Sequence, residues 1–181
     1  MKKTSILIVT VLLMLAVAGC SKKEEKKQEY RNDVKVSDLV ESVKETYGDE
    51  YIPNVQYTEE EIETIFGVKK EWFEEAIAEG PRMSANVDTF VAVKAKKDSV
   101  DKVKEALEAY RDGLVKDTMQ YPMNQLKIQG SRVTVVGDYA FFTMLGVIPS
   151  DVEEQGDDAV IQKAEELNQK AIDVIKEKLA N

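Results

Sequence analysis

The chain of 181 residues contains no histidine, and that absence removes several classes of chemistry at once. Without imidazole there is no Ser-His-Asp or Cys-His nucleophile, no histidine-ligated zinc and no ordinary acid/base group near neutral pH. Cysteine occurs once, at Cys20, so no disulfide can form within the chain and the fold must rest on its apolar core. Phosphate-cradling glycine loops are missing. Positive charge is in deficit, 25 Lys and Arg against 34 Asp and Glu for a net charge of −9, which disfavours nucleic acid and broad contact with anionic headgroups. A nucleophile would need a Ser-Lys or carboxylate pair, and carboxylates are too abundant here for their spacing to inform. The expectation is a protein that is not an enzyme, with no cofactor and no metal.

What is present begins at the N-terminus. Lys2 and Lys3 precede an apolar run from Ile6 to Ala18, whose end forms the stretch Val17-Ala18-Gly19-Cys20. These are the parts of a secretory signal peptide. The run is 13 residues, roughly 20 Å as a helix against a hydrocarbon core of roughly 30 Å, too short to span a membrane. The small-small-Cys ending resembles a lipobox, in which the chain is cut between Gly19 and Cys20 and the cysteine sulfur carries a diacylglyceryl group. Two acyl chains make a stable anchor where one would be marginal. Residues 1–19 are therefore expected to be a lipoprotein signal peptide, and the exported chain to sit lipid-anchored on the outer face of the cytoplasmic membrane. Removing those residues takes two lysines and no acid, so the net charge becomes −11.

Residues 20–35 read as the lipidated cysteine and a flexible stalk, since Ser21 to Asp33 has one aromatic, no aliphatic residue and mixed charge. Residues 36–181 read as one globular domain. Its first helix is expected from Ser37, as N-cap, to Tyr47, with Leu39, Val40 and Val43 on one face and Gly48 as the stop. Thr58-Glu59-Glu60-Glu61 is a capping-box sequence opening a short helix that buries Ile62, Ile65 and Phe66 and stops at Gly67. Glu71 to Glu79 fits a helix or a strand, with a lean to strand, and Thr89 to Ala95 reads as a strand.

Asp98 to Met119 carries an apolar stripe of Val100, Val103, Leu107, Tyr110, Leu114 and Met119, expected to be a helix terminated by Tyr121-Pro122. Arg132 to Val136 and Tyr139 to Val147 are expected strands of a tight hairpin turning at Gly137-Asp138. The second is apolar on both faces and so central. Asp157 or Asp158 should cap a terminal helix with Val160, Ala164, Leu167, Ala171 and Val174 on its stripe. Together these predict an α+β fold, a small antiparallel sheet of three to four strands with helices covering one face.

Few residues offer themselves as a site. Tyr121, Tyr139 and Trp72 are candidate binding residues, because such rings join an apolar body to a polar tip. Turn chemistry accounts equally well for the tyrosines, and core packing for Trp72. Asp151-x-Glu153-x-Gln155-Gly156 imitates the start of a calcium loop but has Gln162 where the bidentate glutamate belongs, so an acidic surface loop is the expected reading.

From about Val36 to Val147 the chain resembles the bacterial lipoprotein family carrying domain of unknown function 4358. The resemblance rests on Gly67, Pro81-Arg82-Met83-Ser84-Ala85 leading to Asp88, the strand Phe90-Val91-Ala92-Val93-Lys94, Val103 and Leu107, the Tyr121-Pro122 break, and Gly137-Asp138-Tyr139-Ala140-Phe141-Phe142. It implies a Gram-positive cell and carries over no catalytic residue. The expected role is a non-enzymatic binding or accessory domain at the cell envelope, with the membrane as one partner through Cys20 and an envelope protein or polymer as the other. The alternatives are a solute-binding lipoprotein, disfavoured by size, or a small carboxylate-dependent hydrolase.

Overall fold

The computed structural model describes residues 29–81, 85–117 and 119–180. The lipobox and most of the expected stalk lie outside the described residues. The elements run α1 (Val36–Tyr47), β1 (Val55–Gln56), α2 (Glu59–Phe66), β2 (Phe73–Gly80), β3 (Thr89–Ala95), α3 (Val100–Lys116), α4 (Pro122–Gln129), β4 (Arg132–Val136), β5 (Tyr139–Met144), α5 (Ser150–Glu153) and α6 (Asp157–Leu179). The strands form one antiparallel sheet in the order β1-β2-β3-β5-β4, which makes this the expected α+β architecture.

Two details differ from the sequence reading. The sheet has five strands, because the short β1 adds Val55 and Gln56 to the far edge of β2. Helices cover both faces rather than one. Phe90, Ala92, Tyr139 and Phe141 point to a core shared with α1 and α6, while Val91, Val93, Ala140, Phe142 and Met144 point to a second core under α2, α3 and α4. The alternation has period two, and in β3 and β5 both sets are apolar, so each face needs a cover to exclude water. On the second face a chain of edge-to-face rings, Tyr57, Phe66, Tyr110 and Phe142, runs with centroid spacings of 5.4, 4.7 and 5.2 Å.

Helix ends follow the expected chemistry in part. Thr58 and Glu61 form the capping box of α2, and Gly67 closes it in the left-handed conformation, φ 71°. Ile62 and Phe66 are buried, but Ile65 faces outward. Ser37 does not cap α1. The helix starts one residue earlier, and the Val36 N–H donates to Glu75 Oε2 of β2 at 2.9 Å, so a carboxylate from the sheet meets the positive end of the helix. Helix α3 ends at Lys116 and leaves Met119 90% exposed. Tyr121-Pro122 does not merely stop a helix but starts α4, with proline at the first position, where its missing N–H costs nothing.

The expected strand to Val147 ends at Met144. Neither Asp157 nor Asp158 caps α6; Gly156, at φ 103°, holds that position and both aspartates lie in the first turn. The stripe of α6 continues through Ile172, Ile175 and Leu179 in place of the half-buried Val174.

Residues before Val36, within the expected stalk, already pack on the domain. Tyr30 forms a bridge with Ala180, the Arg31 N–H donates to the Leu179 carbonyl at 2.9 Å, and the Tyr139 hydroxyl donates to the Val34 carbonyl at 2.6 Å. Tyr30 packs against Gly137 in the β4–β5 turn, where a side chain's Cβ would stand 3.1 Å from that of Tyr30. The positive φ of Gly137, 59°, with none at Asp138, is the glycine-first hairpin pattern.

A buried Asp88–Lys127 pair at one end of the sheet

At the end of the sheet opposite Tyr30, three segments far apart in sequence converge. Asp88 immediately precedes β3 and is 1% exposed. Its backbone N–H donates to Asn86 Oδ1 at 2.7 Å, an Asx turn that sets the direction of the chain as it enters the strand. Lys127 comes from α4, which is fastened to the same loop by Asn124 Nδ2 donating to the Ala85 carbonyl at 3.0 Å. Its ammonium donates to Asp88 Oδ2 at 2.6 Å and to the Gly146 carbonyl at 2.5 Å.

Gly146 follows β5 at φ 90°, and a Cβ there would lie within 3.0 Å of Leu167 on α6. Only glycine suits both the backbone conformation and that contact. Next to it Asn168, fully buried, accepts from the Leu145 N–H at 3.0 Å and donates to the carbonyls of Gly130 at 2.9 Å and Ala164 at 2.8 Å. The carbonyl that meets Lys127 is thus held by α6 from behind.

Asp88 and Lys127 line a cavity of 210 Å³ together with Asn86, Asn124, Glu153, Gly146 and the apolar Ile52, Met123, Val147 and Ile148. Asp88 Oδ1 has no hydrogen-bond partner among the described residues. Burial pushes the Asp88 carboxyl above the usual carboxylate range, against the pull of the Lys127 ammonium, the Asn86 side chain and the Gly146 N–H. Burying such a pair costs several kcal/mol per ion in desolvation, which mutual attraction offsets only in part. Met123 and Val147 are exposed at the cavity, and Met119 and Tyr121 are exposed in the segment that leads into α4. A larger groove of 570 Å³ runs along α6 beside Arg132, but the carboxylates that line it, Glu165, Glu166 and Asp173, are exposed and solvated.

The three rings singled out by sequence are not brought together. Tyr121 is 66% exposed just before α4, close in sequence to the cavity residues Met123 and Asn124. Trp72 is half-buried against the second core, with the Lys69 ammonium 5.4 Å from its ring centre. Tyr139 is fully buried in the first core, so its ring offers no recognition surface. Gly19 and Cys20 lie outside the described residues. The acidic stretch folds as a helical turn, α5, with Gln155 Nε2 donating to the Asp151 carbonyl at 2.9 Å. Among the described residues no group of three or more Asp, Glu, His or Cys side chains could hold a metal ion.

Sequence reasoning passed over Lys127 and gave Asp88 no role. The available signal was a lysine between Leu126 and Ile128, where an exposed loop would not place two aliphatics around a charge. No helix of the described residues is long and apolar enough to cross a membrane. No curated protein and no solved structure matches the chain. A family model does match, over residues 46–145, which takes in Asp88, Lys127 and all five strands of the sheet. The chain belongs to the family described as domain of unknown function (DUF4358).

Proposed function

We propose that this protein is an exported lipoprotein, held at the outer face of the cytoplasmic membrane by a diacylglyceryl group on Cys20, whose domain binds an envelope protein or polymer through the Asp88–Lys127 end. The observation that carries the binding reading is the polarity of the fold. Tyr30 docks beside Gly137 at one end of the sheet, and the cavity opens at the other, beyond Thr89 and Met144. The seven residues of β3 separate the two ends by roughly 20 Å. An anchor N-terminal to Tyr30 would therefore join the domain at the end remote from the cavity, leaving the cavity end clear of the point of attachment.

A non-enzymatic role is supported by the chemistry available. Histidine is absent, and the one carboxylate buried in the cavity already pairs with a lysine. The −9 net charge argues against nucleic acid as the partner.

Three measurements test the reading. Cys20→Ala should move the protein from the membrane fraction to the medium, and mass spectrometry of the wild type should find a diacylglyceryl cysteine as its first residue. A photo-crosslinking residue at Met123 should capture one reproducible neighbour, whereas one at Lys163, on the outer side of α6, should not. An unmodified thiol at Cys20 overturns the anchor. Equal or absent capture at both positions overturns the binding end.

A further inference from the structure

We infer that the Asp88 cavity takes the side chain of a lysine presented by a partner polypeptide; the inference rests on the binding role proposed above. Its lining carries two carboxylates, Asp88 and Glu153, against the single ammonium of Lys127, so an incoming cation balances the charge. Asp88 lines this cavity, and its Oδ1 is buried with no hydrogen-bond partner among the described residues, which calls for a donor. Oδ2 is already taken by Lys127 at 2.6 Å. With one oxygen left, the carboxylate can meet a point-like ammonium but not the two-pronged fork of a guanidinium, which favours lysine over arginine. Ile52, Met123 and Val147 provide apolar wall for the methylenes of such a side chain.

Size and surroundings indicate a polypeptide rather than a free solute. At 210 Å³ the cavity is smaller than the roughly 300–1,000 Å³ of pockets that enclose small molecules. Met123 and Val147 at the cavity, with Met119 and Tyr121 beside it in sequence, expose more apolar surface than one amine would cover.

The test is an NMR titration of the isotopically labelled domain at fixed ionic strength with three blocked tripeptides, Gly-Lys-Gly, Gly-Arg-Gly and Gly-norleucine-Gly, and with n-butylammonium chloride. The lysine peptide should give saturable shifts confined to the side-chain amides of Asn86 and Asn124, the Met123 methyl and the Val147 amide. The arginine and norleucine peptides should bind at least about ten-fold more weakly, having respectively the wrong fork and no donor. Glu153→Gln, an exposed change that keeps the fold, should weaken the lysine peptide several-fold. The double variant Asp88→Asn/Lys127→Met, checked for folding by its amide spectrum, should abolish its shifts. Equal shifts from all three peptides, no saturation, or butylammonium binding as tightly as the lysine peptide would each overturn the inference. Loss of the lysine effect while Met123 still crosslinks a neighbour would remove the lysine assignment alone.

Discussion

Asn168 shows how much of this fold depends on single side chains that no periodicity picks out. It joins α6 to the end of β5 and to the α4–β4 connection through two hydrogen bonds, with a third back to Ala164 within the helix, all made in full burial. Asn168→Ala should lower stability by about 2–3 kcal/mol, because it leaves the Leu145 N–H and the Gly130 carbonyl without partners. The urea midpoint should fall with the slope unchanged. The Asp88–Lys127 pair obeys a different rule. Lys127→Met should cost about 3–5 kcal/mol by stranding a buried carboxylate, whereas Asp88→Asn/Lys127→Met should recover most of that loss. A double-mutant cycle of urea midpoints would show the two changes to be far from additive. In sequence, Asn168 is one polar letter on a charged helix, and Asp88 and Lys127 stand 39 positions apart. Their meaning comes from which segments the sheet brings together, and no local pattern encodes that.

Elements were legible where their ends are closed by their own residues. The capping box at Thr58 is local, so α2 could be read directly, and Thr58→Ala should cost about 1 kcal/mol. Ser37→Ala should stay within about 0.5 kcal/mol, since the first turn of α1 is closed by Glu75 from another element. Thermal unfolding of the two variants side by side separates these cases. The same distinction explains α4. A proline ends one helix and opens another with equal ease, and the apolar residues of Pro122–Gln129 do not form a clean stripe, because Lys127 is turned inward to Asp88. Strand β2 was ambiguous for a related reason. Its central residues gain their definition from pairing with β3 rather than from alternation of their own.

At the level of the whole molecule, the two apolar sets in β3 and β5 already contained the second helical layer, which the sequence reading assigned to one face only. Both layers bury tyrosines, and this makes stability depend on alkaline pH. Burial raises the phenols of Tyr47 and Tyr51 well above their usual range, the latter also through its hydrogen bond to Glu79, and pushes Tyr110 up to about 12. Below pH 10.0 these phenols are protonated in the folded and the unfolded chain alike, so they leave stability independent of pH. Above it the unfolded chain loses protons that the folded chain keeps, and each such phenol lowers stability by about 1.4 kcal/mol per pH unit. Urea midpoints should therefore hold steady up to that point and then fall steeply, with phenolate absorbance of these rings appearing only as the protein unfolds. A last consequence follows from the bridge between Tyr30 and Ala180. Because the two ends of the described chain lie side by side, a stretching force applied between them strips contacts one at a time, α1 and α6 peeling from the sheet in succession. In an optical trap the domain should yield at low force through stepwise unzipping, unlike folds whose terminal strands must be sheared apart together.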